Sequence, residues 1–176
     1  MAERGGRVNA KTSSAETGDE PPKRIVLLDI DGVVIPATQM LVDPMSACDR
    51  ILPTTTIAAL NRLCALSGAK IVFNTTHNDS WPDVPDIEVA MVTQGLDPSH
   101  LHPTDLRTSY PSRPRAEAVA EWLERHPEIE QWVAFDDARF TEDDRLVLID
   151  PDGGLHLGHV NAALAIFGLK PILIFM

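Results

Sequence analysis

Asp29 and Asp31 stand two residues apart at the end of a short apolar run, Ile25-Val26-Leu27-Leu28, and Gly32 follows them. Side chains at i and i+2 of an extended segment point to the same side. Two carboxylates so placed repel, so one must hold a proton or a cation must neutralise the pair. A hard cation such as Mg²⁺ suits carboxylate oxygens. The chemistry on offer is nucleophilic attack by one carboxylate and proton transfer by the other. The same residue types also build a plain polar turn, since Asp and Gly favour turns.

Three further stations have matching character. Thr75 and Thr76 follow the apolar run Ile71-Val72-Phe73 and Asn74. A hydroxyl there can donate to a phosphate oxygen, and Asn74, Thr76 and His77 are neighbours within reach of a substrate. A strand exit uses the same groups for ordinary capping. Asp136 and Asp137 end a third apolar run, Trp132-Val133-Ala134-Phe135, and offer either a metal-binding pair or a polar turn. Between Lys70 and Asp136 the chain has no Lys, so a cation for a phosphate must come from Arg107, Arg113 or Arg115. Arg grips phosphate through two N–H groups. Arg115 opens a predicted helix and Arg113 lies two residues before it; solvated surface arginines fit the same pattern. Asp143 and Asp144 read as a turn. His156 and His159 lack a third ligand and read as surface or helix-capping residues.

These groups need elements that bring them together. Ligand sites of open parallel sheets lie beyond the carboxyl ends of the strands. The apolar runs predict strands over residues 25–28, 70–74, 131–135 and 145–149, with a last edge strand over 171–176. Helices are predicted over about 55–66, 87–94, 115–125 and 158–167. Thr54 or Thr55 would cap the first, Ile57, Leu60, Leu63, Cys64 and Leu66 would line its buried face, and Gly68 would end it. Ala118, Val119, Trp122 and Leu123 form the stripe of the third. Strands alternating with helices predict an α/β fold with a mainly parallel sheet.

Composition narrows the class. The chain has 176 residues, 44% of them hydrophobic, which suits a single domain with a sizeable core. Residues 1–22 are polar and rich in Gly, Ser, Thr and Glu, so a disordered tail followed by one domain over 23–176 is expected. That start lacks an apolar signal region, and no run of about 18 apolar residues occurs, so no membrane span is expected. Two cysteines without ligand spacing, Cys48 and Cys64, fit a reduced, cytoplasmic setting. A formal net charge of −11 disfavours broad nucleic-acid binding but leaves a local basic patch open.

The stretch Leu27-Leu28-Asp29-Ile30-Asp31-Gly32-Val33-Val34 resembles the first motif of the haloacid dehalogenase (HAD) superfamily. Thr75 takes the place of that family's second motif, and Asp136-Asp137 the place of its fourth. Its third motif is usually a Lys, often at the start of a helix, so the resemblance puts Arg115 first and Arg113 second in that place. The Asp-Pro-x-x-Gly-Leu stretch from Asp150 to Leu155 is similar to one that follows the fourth motif in small members. Over residues 24–160 the chain is similar to the HAD domain associated with RNA-repair assemblies. The resemblance implies a Rossmann-like three-layer sandwich and Mg²⁺ held by Asp29, Asp31, Asp136 and Asp137. It further implies Asp29 as nucleophile, Asp31 as acid/base, and Thr75, Thr76, Arg115 and Arg113 as substrate-binding groups. The implied activity is hydrolysis of a phosphomonoester through an aspartyl-phosphate; the alternative is a non-catalytic binding or regulatory module that keeps the fold. About 20 residues separate the first strand from Thr55 and about 38 separate Thr75 from Arg113, too few for an independent globular cap. An uncapped site suits a bulky substrate, such as a phosphorylated nucleic-acid end or a phosphoprotein.

Overall fold

The structure, a computed structural model, describes residues 21–42, 51–78 and 87–173. Most of the expected tail and Cys48 therefore lie outside the described residues. Four strands form one sheet: β1 (Arg24–Leu28), β2 (Lys70–Phe73), β3 (Gln131–Asp136) and β4 (Leu146–Leu148), in the order β2-β1-β3-β4. All three pairings are parallel. The helices are α1 (Ala37–Val42), α2 (Thr54–Ser67), α3 (Ile87–Thr93), α4 (Arg115–Arg125) and α5 (Leu157–Ile166).

Alternation along the strands separates two apolar layers. Val26 and Leu28 of β1 join a core with Leu60, Leu63, Met91, Val160 and Leu164, from α2, α3 and α5. Ile25 and Leu27 face the other way, into a smaller core with Val72, Trp132, Ala134 and, from α4, Val119 and Trp122. The result is the three-layer α/β sandwich expected from the alternation of elements. Both connections that could have held a cap carry only short helices among the described residues, six residues in α1 and seven in α3.

Three local expectations need correction. Pro53, not a threonine, takes the N-cap position of α2, and no side chain caps that end. Proline pre-sets the turn backbone, so the helix starts one residue earlier than a Thr55 start would give. Leu66 is 40% exposed, because it lies on the outward side of α2, away from the face that buries Ile57, Leu60, Cys64 and Ser67. Residues 171–173 form no strand; Ile172 instead exchanges hydrogen bonds with the Asn161 side chain on α5. The remainder of that expected strand lies outside the described residues. Gly68 does end α2, in the left-handed conformation at φ 69°.

Candidate active site

Register places the acidic residues before any side chain is considered. Leu28 pairs with Phe73 on one side and Phe135 on the other. One step further along, Asp29 lies level with Asn74 and Asp136. The ladder continues there, with the Asp29 N–H donating to Phe135 O (3.0 Å) and the Asn74 N–H to Leu28 O (2.9 Å). Asp29 continues the Ile25–Leu27 row and Asp136 continues the Trp132–Ala134 row. Both rows belong to the face that α4 covers. The two carboxylates are therefore neighbours at the carboxyl ends of adjacent strands, on the α4 side.

Arg115 is the first residue of α4. A cation at a helix N-terminus opposes the helix dipole, so a local structural purpose does not favour it. Its Nη1 lies 3.0 Å from Asp29 Oδ2 and also bonds Asp136 Oδ1. The Arg115 guanidinium stands 4.5 Å from the centre of the Tyr110 ring. The Ile30 N–H donates to Asp29 Oδ1 at 2.8 Å, and Thr75, fully buried, adds a side-chain hydrogen bond to the same carboxylate. The Ala138 N–H donates to Asp136 Oδ1 at 2.9 Å.

Burial decides the electrostatics. It raises the Asp29 pKa, with Arg115 opposing. It pushes Asp136 up to about 7, helped by the like charge of Asp29 and opposed by Arg115. Burial works against the charge of Arg115, but Asp29 and Asp136 hold its pKa above the ordinary value. Asp137 belongs to the same group: one oxygen from each of Asp29, Asp136 and Asp137 lies within 4.8 Å of the others. Three carboxylates against one guanidinium leave the group short of positive charge. Asp136 Oδ2 is buried and has no hydrogen-bond partner. An all-oxygen set with an unsatisfied buried acceptor fits a hard divalent cation such as Mg²⁺.

The other expected residues fall in different places. Asp31 lies outside the group of three; its Oδ2 is 3.1 Å from His77 Nε2. Thr76 is exposed in the short turn Thr76–Asn78. Arg113 pairs with Glu121 at 2.9 Å and is 58% exposed, away from the carboxylates. Arg107 pairs with Glu88 at 2.6 Å. Tyr110 carried no signal in the sequence, since a single Tyr before Pro111 has no spacing to betray it. The His77 partnership was only hinted at by its place two residues after Thr75. His156 and His159 form a capping box at the start of α5, as a helix-capping role requires.

Fold and site together define an α/β domain with a parallel sheet whose carboxylates gather at the strand ends. The sequence model of the family described as "HAD domain in Swiss Army Knife RNA repair proteins" matches residues 25–160, and the chain belongs to that family. Hydrolases make up most of this superfamily, and Mg²⁺ is its usual metal. No curated protein and no solved structure matches the chain.

Proposed function

We propose that this domain is a Mg²⁺-dependent phosphomonoesterase that works through an aspartyl-phosphate on Asp29, with a phosphorylated RNA end as substrate. The observation that carries the reading is the interlock of Asp29, Asp136 and Arg115 at the ends of two adjacent strands. Asp29 attacks phosphorus; its oxygen–phosphorus bond forms as the ester bond breaks. Asp31 gives its proton to the departing ester oxygen. It then takes a proton from water as that water attacks phosphorus, and the Asp29 oxygen–phosphorus bond breaks, releasing free phosphate and regenerating the Asp29 carboxylate. Arg115 and the Thr75 hydroxyl orient the nucleophile and offer donors to phosphoryl oxygens. When bound, Mg²⁺ held by Asp29, Asp136 and Asp137 would supply Lewis-acid charge at those oxygens.

Two things support a macromolecular substrate. The helices in both connections are short, so nothing among the described residues encloses the site. The family is that of a HAD domain found in RNA repair proteins. The acidic chain argues for recognition of an end rather than of a long backbone.

The test is a substrate panel with and without Mg²⁺: oligoribonucleotides phosphorylated at the 3′ or 5′ end, nucleotides, sugar phosphates, phosphopeptides and p-nitrophenyl phosphate. The RNA ends should turn over fastest, and Asp29→Asn should lower turnover by about a thousandfold or more. A wild-type protein inert across the panel would leave the binding-module reading standing.

A further inference from the structure

The two motif aspartates are held in different ways. Asp29 is buried and fixed from three sides by Ile30, Thr75 and Arg115. The Asp31 side chain is 44% exposed. Its backbone is set by a tight turn: the Val34 and Ile35 N–H groups donate to Ile30 O (2.8 and 2.9 Å), and the Gly32 N–H to Ile35 O (2.8 Å). Such a turn fixes where the Asp31 Cβ points. It does not choose among the roughly three staggered side-chain rotamers that an exposed Asp can adopt.

Among the described residues, the polar partner of the Asp31 carboxylate is His77, with Nε2 3.1 Å from Oδ2. His77 comes from a different strand exit, and its own position is pinned. The Asn78 N–H donates to Thr75 O at 3.1 Å, and the Asn78 side-chain amide donates to Phe73 O (3.2 Å) and Thr108 O (3.3 Å). The short turn Thr76–Asn78 is thereby clamped to β2 and to the segment beside it. The His77 ring is presented from a fixed base to a carboxylate that has no other hold among the described residues.

We propose that His77 is a positioning residue for the acid/base chemistry of Asp31. Its hydrogen bond keeps the Asp31 carboxylate in one rotamer and out of the Asp29–Asp136–Asp137 group, at the mouth where an ester oxygen departs. This rests on the phosphatase reading above. Both half-reactions use it: the proton donor of the first step and the proton acceptor of the second are the same carboxylate, and each step needs it in the same place. With a good leaving group the first step needs little acid, so the loss then falls on hydrolysis of the aspartyl-phosphate.

The experiment is a double-mutant cycle on the full chain with Mg²⁺, using p-nitrophenyl phosphate and a phosphorylated oligoribonucleotide. His77→Ala should lower kcat roughly 10- to 100-fold, the scale of a misplaced catalytic group, with KM within about twofold. His77→Gln, whose amide reaches the place of Nε2, should recover most of kcat. His77→Asn, whose amide reaches only the place of Nδ1, should not. In an Asp31→Asn background His77→Ala should change kcat by less than about twofold, because the two residues act as one unit. Equal losses in both backgrounds would overturn the inference, as would a raised KM with kcat unchanged, which would put His77 on the substrate. Should the Ala variant not fold, the Gln-against-Asn comparison decides, and equal activities there would overturn the inference. Active wild type with an unaffected His77→Ala sinks this inference alone. Wild type no faster than Asp29→Asn sinks the phosphatase reading, and this inference with it.

Discussion

Replacing Arg115 by Met removes the guanidinium from between Asp29 and Asp136 and keeps most of the side chain's volume. Both carboxylates are nearly inaccessible, with side-chain exposures of 5% and 1%, and Arg115 itself is 12% exposed. Breaking a buried pair by removing one partner costs about 3–5 kcal/mol when the remaining charge persists. A carboxyl can escape that cost by taking a proton. Without the guanidinium the folded-state pKa values of Asp29 and Asp136 rise further, while the unfolded values stay near the ordinary 3.8. A carboxyl raised on folding destabilises progressively as pH climbs from its unfolded value through its folded one. At pH 5 Asp136 is largely protonated in Arg115→Met and Asp29 takes a proton more readily than in the wild type, so the loss falls toward that of the contact with Tyr110, about 0.5–1 kcal/mol. At pH 8 the loss should approach 3 kcal/mol. At about 2–4 °C per kcal/mol for a chain of this size, the melting temperature should fall by about 6–12 °C at pH 8. At pH 5 the fall should be only about 1–4 °C. Melting curves of both proteins at the two pH values, followed by circular dichroism, read this directly. An equal drop at pH 5 and pH 8 would refute the electrostatic account and reduce Arg115 to packing.

Three other outcomes are expected. Mg²⁺ at ten times its Kd should stabilise the wild type by about 1.4 kcal/mol, and Asp136→Ala should abolish the gain in a thermal-shift assay. Asp31→Asn should still form the aspartyl-phosphate slowly from p-nitrophenyl phosphate but accumulate it, which acid-quenched labelling would detect, because water lacks its base. Gly32 sits at φ 77°, and a Cβ there would lie 2.5 Å from Asp137 Oδ2. Gly32→Ala should therefore cost about 1–2 kcal/mol in chemical denaturation from the left-handed backbone alone, and should weaken the Mg²⁺ shift by displacing Asp137.

Strand ends were legible because buried parallel strands read as continuous apolar runs, and a run that stops in Asp marks its own carboxyl end. Asp29 and Asp136 needed nothing more than that and the assumption of adjacent strands. Arg115 was legible because a charged residue followed by the Ala118–Val119–Trp122 stripe announces a helix start. Arg113, two residues earlier, looked equivalent in sequence, yet Pro114 separates it from the helix and Glu121 draws it outward. The segment over residues 101–108 was not legible. It runs beside β2 through isolated pairings, Ile71 with Leu101 and Phe73 with Arg107. Pro103 lies between those pairings, so no alternating pattern develops. The Asp31–His77 pair was equally hidden, since it joins two turns whose side-chain directions follow no period.

That irregular segment also explains how Arg115 is aimed. Trp122 follows Arg115 by seven residues, so the two share a face of α4, with Ala118 and Val119 between them. Trp122 is fully buried and stacks on His126 at 3.8 Å. His126 Nε2 is 3.0 Å from Asp105, and its Nδ1 is 3.0 Å from Glu128. His102 stands edge-on to Trp122 at 5.2 Å, and its Nδ1 accepts from the Asp105 N–H at 3.2 Å. Burial, reinforced by His126, lowers the His102 pKa, so the ring is neutral and suited to accept that bond. His102, His126 and Glu128 are close enough to hold an ion. The partners already made by both His126 nitrogens and by His102 Nδ1 give the cluster a different use. It ties the carboxyl half of α4 to the segment beside β2. Arg125 adds a bond to Asp105 at 2.8 Å. A helix fixed along that stripe can present its first residue in only one direction. The stripe that buries α4 continues, one turn toward its start, into the guanidinium that meets Asp29 and Asp136, so the packing that stabilises the smaller core also sets the charge at the site.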